Sequence, residues 1–296
     1  EAWQYFRDRI AGYVLDESEK KLRNLFLTVT ARLSLVVITI DGENPYEIFE
    51  SLNSTGLPLE QSDLIRNYIF MQVPLDNQEA FHVSCWQPFE KMFDGAGDFP
   101  PLSQTDFYRS YLMRKGKYSK DKATFLDFKS QNKERSLKPE ELVNELKFFA
   151  QFEIWLRRPI TCPNQRLAES LSRIAMLDVT TSHPLLLCLL EKYKDGSLNE
   201  QNLLGCLKDL ESFVLRRTIC GESTRPYGKW FTEAIRSIQT QPQEDLCKYW
   251  LQRGWPDDAT FLARLQDFAL YRRETNKCRL ILELLEESYG DRKSVV

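Results

Sequence analysis

Apolar residues recur at three- and four-residue intervals from Trp3 to Val14 (Trp3, Phe6, Ile10, Tyr13 with Val14) and from Glu17 to Thr30 (Leu22, Leu25, Phe26, Val29). That spacing puts them on one face of a 3.6-residue helix, so two amphipathic helices are expected to open the chain. The pattern then changes. Leu33 to Ile40 is a short, β-branched apolar run of the length of a buried strand, and Asp41-Gly42-Glu43-Asn44-Pro45 punctuates it as a turn. No second convincing strand follows. Helical spacing returns with Tyr46, Phe49 and Leu52, then with Leu64, Ile65, Tyr68 and Ile69. The segment from Pro74 to Pro101, with Gly95 and Gly97, reads as loop around one helix near Phe81 to Phe93, and it marks a domain boundary between residues 1–75 and 76–296. Beyond it the spacing predicts helices at Thr105 to Arg114, Ala123 to Lys129, Pro139 to Trp155, Gln165 to Leu177, Pro184 to Tyr193 and Glu200 to Arg217. Four more are expected at Tyr227 to Ile238, Gln243 to Arg253, Ala259 to Ala269 and Lys277 to Tyr289. No repeat period points to a solenoid.

Composition narrows the class. A chain of 296 residues can bury a core without disulfides or metal, and 42% hydrophobic with 28% charged residues fits a soluble globular protein rather than a disordered or fibrous one. The longest apolar runs, Leu33 to Ile40 and Leu185 to Leu190, fall far short of the roughly 20 residues that cross a bilayer. The seven Cys form no CxxC pair, and their odd number fits poorly with a disulfide framework. They read as reduced thiols of a cytoplasmic protein, most of them acting as small core hydrophobes, as Cys188 does in LLLCLL. The opening Glu-Ala-Trp-Gln has no initiator Met and no basic-then-apolar leader, which suggests an excised piece and not a secretory precursor.

A formal net charge of −3 leaves room only for local basic surfaces. One lies between Arg109 and Lys138, where ten basic residues face three acidic ones and Tyr108, Tyr111, Tyr118 and Phe125 interleave. That mixture suits phosphate neutralisation and base stacking, with Arg114, Lys115, Lys117, Lys120 and Lys122 as its core. The bland alternative is a solvated loop and helix whose aromatics belong to the core. A second, smaller candidate is Arg216-Arg217 with Arg225 and Lys229, whose arginines can equally pair with Glu211 or Glu222. The only two histidines, His82 and His183, cannot assemble a His-rich nuclease centre, and both read as structural. His183 is expected in the first turn of a helix capped by Ser182, beside Pro184. Adjacent acidic pairs such as Glu140-Glu141 point apart on a helix and make poor acid/base partners. No GxSxG, HExxH, Walker A or dinucleotide fingerprint occurs, which leaves hydrolase, protease, kinase-like and Rossmann readings without support.

The remaining candidate is the loop Asn53-Ser54-Thr55-Gly56. Glycine permits a positive φ, and backbone and side-chain donors occupy four consecutive positions. If a helix begins near Leu59 to Gln61, its free amides and dipole favour an anion such as phosphate at this loop. The same four residues also make an ordinary helix-to-helix turn in which Gly56 ends the first helix.

The string YEIFESLNSTGLPLEQSDLIRNYIFM closely resembles a hallmark segment of the GmrSD-type restriction endonuclease N-terminal family, through Phe49, Leu52, Asn53, Gly56, Leu59, Asp63, Leu64, Arg66 and Asn67. Looser likeness extends to WQYFRDRI at 3–10, FVLRRTICGEST at 213–224 and TNKCRLILELLEESYG at 275–290. The resemblance implies a mainly α chain: the remnant of a ParB-like α/β core with one clear strand, then a helical domain. It implies nucleotide-dependent restriction of foreign, often modified, DNA in phage defence. Asn53, Ser54, Thr55 and Gly56 would help to hold a nucleotide phosphate, with Asp63, Arg66 and Asn67 bracing the loop or reaching the ligand. The nucleoside triphosphate and Mg would bind only in the full-length protein, and an HNH-type nuclease domain or subunit would be the partner that cuts DNA. Two departures stand out. The family's Asp-Gly-Gln-Gln-Arg motif is not the Asp41-Gly42-Glu43-Asn44 turn of this chain, and Glu60 stands where a helix-capping Ser or Thr is common. The chain is therefore expected to be catalytically incomplete alone. The competing expectation is a non-enzymatic helical module that docks a partner.

Overall fold

The computed structural model describes residues 2–14, 18–34, 59–268 and 275–288. The protein is mainly α-helical, and among the described residues the only β pairing is an isolated bridge between Ala96 and Phe99. Leu33 and Ser34 carry no regular structure, while the rest of the expected strand, the turn at 41–45 and the loop Asn53 to Gly56 lie outside the described residues. The chain divides into two compact units, residues 1–57 and 58–296.

In the first unit, α1 (Ala2–Val14) and α2 (Ser18–Leu27) form at the two amphipathic stretches. The Thr28 and Thr30 hydroxyls donate to the carbonyls of Asn24 and Phe26, and the chain widens there into a π-turn over Thr28–Arg32. Trp3, Phe6 and Leu22 remain exposed and line a groove of about 580 Å³ with Ile10, Ala11 and Val14.

The second unit begins with α3 (Gln61–Phe70). Ile65 and Ile69 are fully buried, and Tyr68 meets Phe125 and Phe128 edge-on, which ties α3 to this unit although it falls within the expected 1–75 domain. The helix expected near Phe81 to Phe93 exists in pieces: α4 (Gln78–Phe81), a π-turn over His82–Trp86, and α5 (Gln87–Lys91). Then come α6 (Gln104–Met113), α7 (Thr124–Arg135) and α8 (Pro139–Arg157). α9 (Gln165–Met176), α10 (His183–Lys194) and α11 (Glu200–Ile219) follow. The unit closes with α12 (Tyr227–Ser237), α13 (Pro242–Gln252), α14 (Asp258–Asp267) and α15 (Thr275–Ser288).

Their starts are chemically marked. Ser103, Asn164, Asn199 and Asp257 each accept a backbone N–H three residues on. α3 has no cap from Glu60; the Thr105 hydroxyl on α6 accepts from the Ser62 amide instead, so a neighbouring helix supplies the cap. α10 is the central strut. All of Leu185 to Leu190 is buried, so the helix is apolar all round and packs against α6, α8, α11 and α12. One aromatic focus, Trp86, Phe89, Phe107, Tyr108 and Phe128, lies toward α3 to α7; another, Phe213, Tyr227, Phe231 and Trp250, lies toward α11 to α13.

Candidate nucleic-acid interface

The described part of the family-like string is α3, and its first turn opens on a polar cleft of about 450 Å³. Glu60, Ser62, Asp63 and Arg66 line one side and Glu90 and residues 101–104 the other. Arg66 Nη1 lies 3.2 Å from Glu90 Oε1. Asn67 stands beyond Asp63 and does not line the cleft. Tyr108, fully buried below, has a hydroxyl without a partner; burial raises its pKa, and the charge of Glu90 adds to that rise. The cleft thus offers three carboxylates and one guanidinium already answered by Glu90. Those groups do not fit a magnesium-bound triphosphate by themselves, and among the described residues no group of three or more His, Cys, Asp or Glu could hold a metal ion.

The basic stretch divides sharply. Arg114 was expected on the surface, but it is 2% exposed. Its guanidinium lies 3.7 Å from the Tyr111 ring centroid and 4.3 Å from that of Phe149, donates 2.7 Å to Glu145 and 2.6 Å to the Tyr111 carbonyl. Arg135 meets the same carboxylate. Burial pushes the Glu145 pKa up, yet hydrogen bonds from Arg135 and Tyr111 outweigh it and leave the group below the ordinary value. Tyr108, Tyr111 and Phe125 are buried as well, which removes three of the four interleaved aromatics from any contact.

Arg217 is likewise internal. It donates to the carbonyls of Arg253 and Gly254 at 3.0 and 3.1 Å and lies over Trp230. Arg216 donates to the Pro256 carbonyl, pairs with Asp258 at 2.6 Å and lies over Phe261. Both guanidiniums hold the α11 end to the segment before α14, so neither is free for a phosphate. Fork-shaped guanidinium groups can satisfy several carbonyls at once, and that is why these arginines were taken inward.

What stays outside is the turn between α6 and α7. Lys115, Lys117, Lys120 and Lys122 are exposed, and none has an ion-pair partner within 4 Å among the described residues. Partial burial, with the nearby Arg114 and Arg135, lowers the pKa of Lys115. Tyr118 is the one aromatic of the stretch left 46% exposed. Arg109 holds it, with Nη2 3.3 Å from the phenol oxygen and the guanidinium 5.9 Å from the ring centroid, while pairing with Asp121 and donating to the Ser119 carbonyl.

The turn is seated on α12, 110 residues further along the chain. Gly116 has φ +80°, and a Cβ there would lie 2.7 Å from Cγ of Arg236, so only glycine allows the approach. At Gly228 an added Cβ would lie 3.6 Å from Cε2 of Tyr118. These contacts set the exposed Arg236, and Lys229 beside Gly228, against the lysine turn. Lys229 pairs with Glu233 at 3.7 Å. Arg225 belongs to the same segment and is exposed. Sequence spacing missed Arg236 because nothing local ties it to Gly116; a glycine forced to positive φ within a lysine run was the one available sign.

The seven cysteines are free thiols. Burial pushes Cys188 up to about 11 and Cys206 up to about 12, which makes them inert packing groups. No helix among the described residues is long and apolar enough to cross a membrane. No protein-family model matches the chain, and no curated protein or solved structure matches it.

Proposed function

We propose that this chain is the DNA-contacting part of a nucleotide-dependent restriction protein of phage defence, with the nuclease chemistry outside it. The observation that carries the DNA half is the composite basic surface: four unpaired lysines on one turn, a held Tyr118, and Arg236 brought in by the Gly116 contact, in a chain of net negative charge. Lysines of this kind replace condensed counterions along a phosphate backbone, so binding weakens steeply with salt. The nucleotide half rests on the family-like string, with Asn53 to Gly56 holding a phosphate and Asp63, Arg66 and Asn67 bracing that loop or reaching the ligand.

Replacing Lys115, Lys117, Lys120 and Lys122 by Gln tests the first half. Duplex binding measured against salt concentration should lose about 3–4 units of slope; an unchanged slope assigns these charges to solubility. Asn53→Ala with Gly56→Val in the full-length protein tests the second: nucleotide hydrolysis should disappear, and unaltered turnover refutes the loop's role. The competing reading, a helical docking module, is favoured by the exposed Trp3, Phe6 and Leu22 groove of the first unit. Loss of DNA cleavage on Phe6→Glu, with DNA binding retained, would favour it.

A further inference from the structure

Tyr118 stands in the middle of the lysine turn, and its surroundings fix it more firmly than an exposed side chain requires. Arg109 on α6 spends all three of its side-chain nitrogens on this turn. Nη1 pairs with Asp121, Nη2 donates to the phenol oxygen at 3.3 Å, and Nε donates to the Ser119 carbonyl at 3.3 Å. Ser119, next to Tyr118, is buried, and its hydroxyl donates to Asp127 on α7 at 2.6 Å. Before Tyr118 in the chain, Gly116 lies against Arg236 on α12. Three helices therefore fix the backbone on both sides of Tyr118.

The ring has its own two supports. The Arg109 guanidinium lies 5.9 Å from the centroid, and the Cε2 edge runs past Gly228, where an added Cβ would come within 3.6 Å. With those contacts made, 46% of the residue remains open to solvent, whereas Tyr108, Tyr111 and Phe125 are buried. The fold thus keeps one ring of the four outside, clamped, between Lys115 and Lys117 on one side and Lys120 and Lys122 on the other. A base inside a duplex has both faces covered by its neighbours, so a ring on a protein surface cannot stack on it; an unpaired base offers a free face. A ring already held in place loses little freedom when a base settles on it.

We infer that Tyr118 is a stacking platform for an unpaired base, so that the lysine turn selects single-stranded DNA over intact duplex. This rests on the reading of the turn as a DNA surface and adds which form of DNA it takes. The lysines and Arg236 neutralise phosphates in either form, and the discrimination belongs to Tyr118.

Fluorescence anisotropy of the whole chain tests it with three probes: a labelled single strand, the same sequence as duplex, and the same strand made abasic. The wild type should bind the intact strand about tenfold tighter than the abasic one, a comparison that needs no variant. Tyr118→Ala should weaken single-strand binding about tenfold and change the other two by less than about twofold. Its salt slope should stay that of the wild type, because no cation is removed. Tyr118→Phe keeps the ring and loses only the bond from Arg109 to the phenol oxygen, and it should retain most of the single-strand affinity, with folding of both variants checked by thermal melt. Equal binding of intact and abasic strands, an equal loss on all three probes, or a loss in Tyr118→Phe as large as in Tyr118→Ala would each overturn the inference. An unchanged salt slope in the four-lysine variant removes the DNA surface and this inference with it. A reduced slope there, beside a Tyr118→Ala that binds single strands like the wild type, removes the stacking alone.

Discussion

Arg114 and Lys115 are adjacent in sequence and opposite in fate. Arg114 lies sealed between Tyr111 and Phe149 with Glu145 at its tip, whereas Lys115 begins the exposed turn seated on α12. The same contrast separates Arg217, spent on backbone carbonyls, from Arg236, which stays outside. A guanidinium is planar, weakly hydrated and able to make several hydrogen bonds at once, so it can be buried among rings and carbonyls; a lysine ammonium is strongly hydrated and stays in water. Positive charge in this protein thus divides into an internal part that holds helices together and an external part available to a partner. Counting Lys and Arg along a sequence merges the two.

The largest expected effect falls on the internal part. Arg217→Ala should leave the carbonyls of Arg253 and Gly254 unpaired and expose a gap beside Trp230, lowering stability by about 3–5 kcal/mol in chemical denaturation. A loss below about 1 kcal/mol would show that water replaces the guanidinium and that the site is not internal. Arg114→Lys is a sharper probe because it keeps the charge and removes the planar fork, with its stack on Tyr111 and Phe149 and its paired hydrogen bonds to the Tyr111 carbonyl and Glu145. A loss of about 1–3 kcal/mol is expected, and full tolerance would mean that charge alone matters there.

Acid should act on the internal networks next. The Glu145 and Glu153 pKa values are depressed in the folded protein, so their contributions are complete above the unfolded glutamate value, about 4.3, and are lost as pH falls through the folded values. Glu145→Gln should therefore differ most from the wild type near neutral pH, and the gap in melting temperature should close in acid. A gap constant with pH would mean that Glu145 acts through shape and not charge. The smallest stability effect belongs to the external lysines: Lys115, Lys117, Lys120 and Lys122 changed to Gln should each alter stability by less than about 0.5 kcal/mol. A larger loss in melting experiments would place them among the structural charges.

Most helix positions were legible to within a turn, because burial of one face imposes a 3.6-residue repeat that survives in the sequence; α7 is the exception, running on to Arg135, six residues past the expected Lys129. α11 runs Glu200–Ile219 against an expected Glu200 to Arg217, and α12 ends one residue before the expected Ile238. The single helix expected over Phe81 to Phe93 is interrupted by the π-turn at His82–Trp86, where Trp86 is turned fully into the aromatic core; widening a turn by one residue leaves the apolar spacing almost unchanged. The cap of α3 was legible only as missing, since Thr105 supplies it from 43 positions away.

The amino-acid order by itself determined that the chain is helical, where most helices begin and end, and that its basic residues are concentrated after Arg109. Local spacing and capping decide those matters, and both are written in neighbouring residues. Only the tertiary structure decided which cations are free, that Gly116 seats the lysine turn against Arg236, and that His183 meets Glu153 over a cavity. Each of those depends on contacts between helices 30 to 120 residues apart, where close packing selects partners that no local pattern specifies.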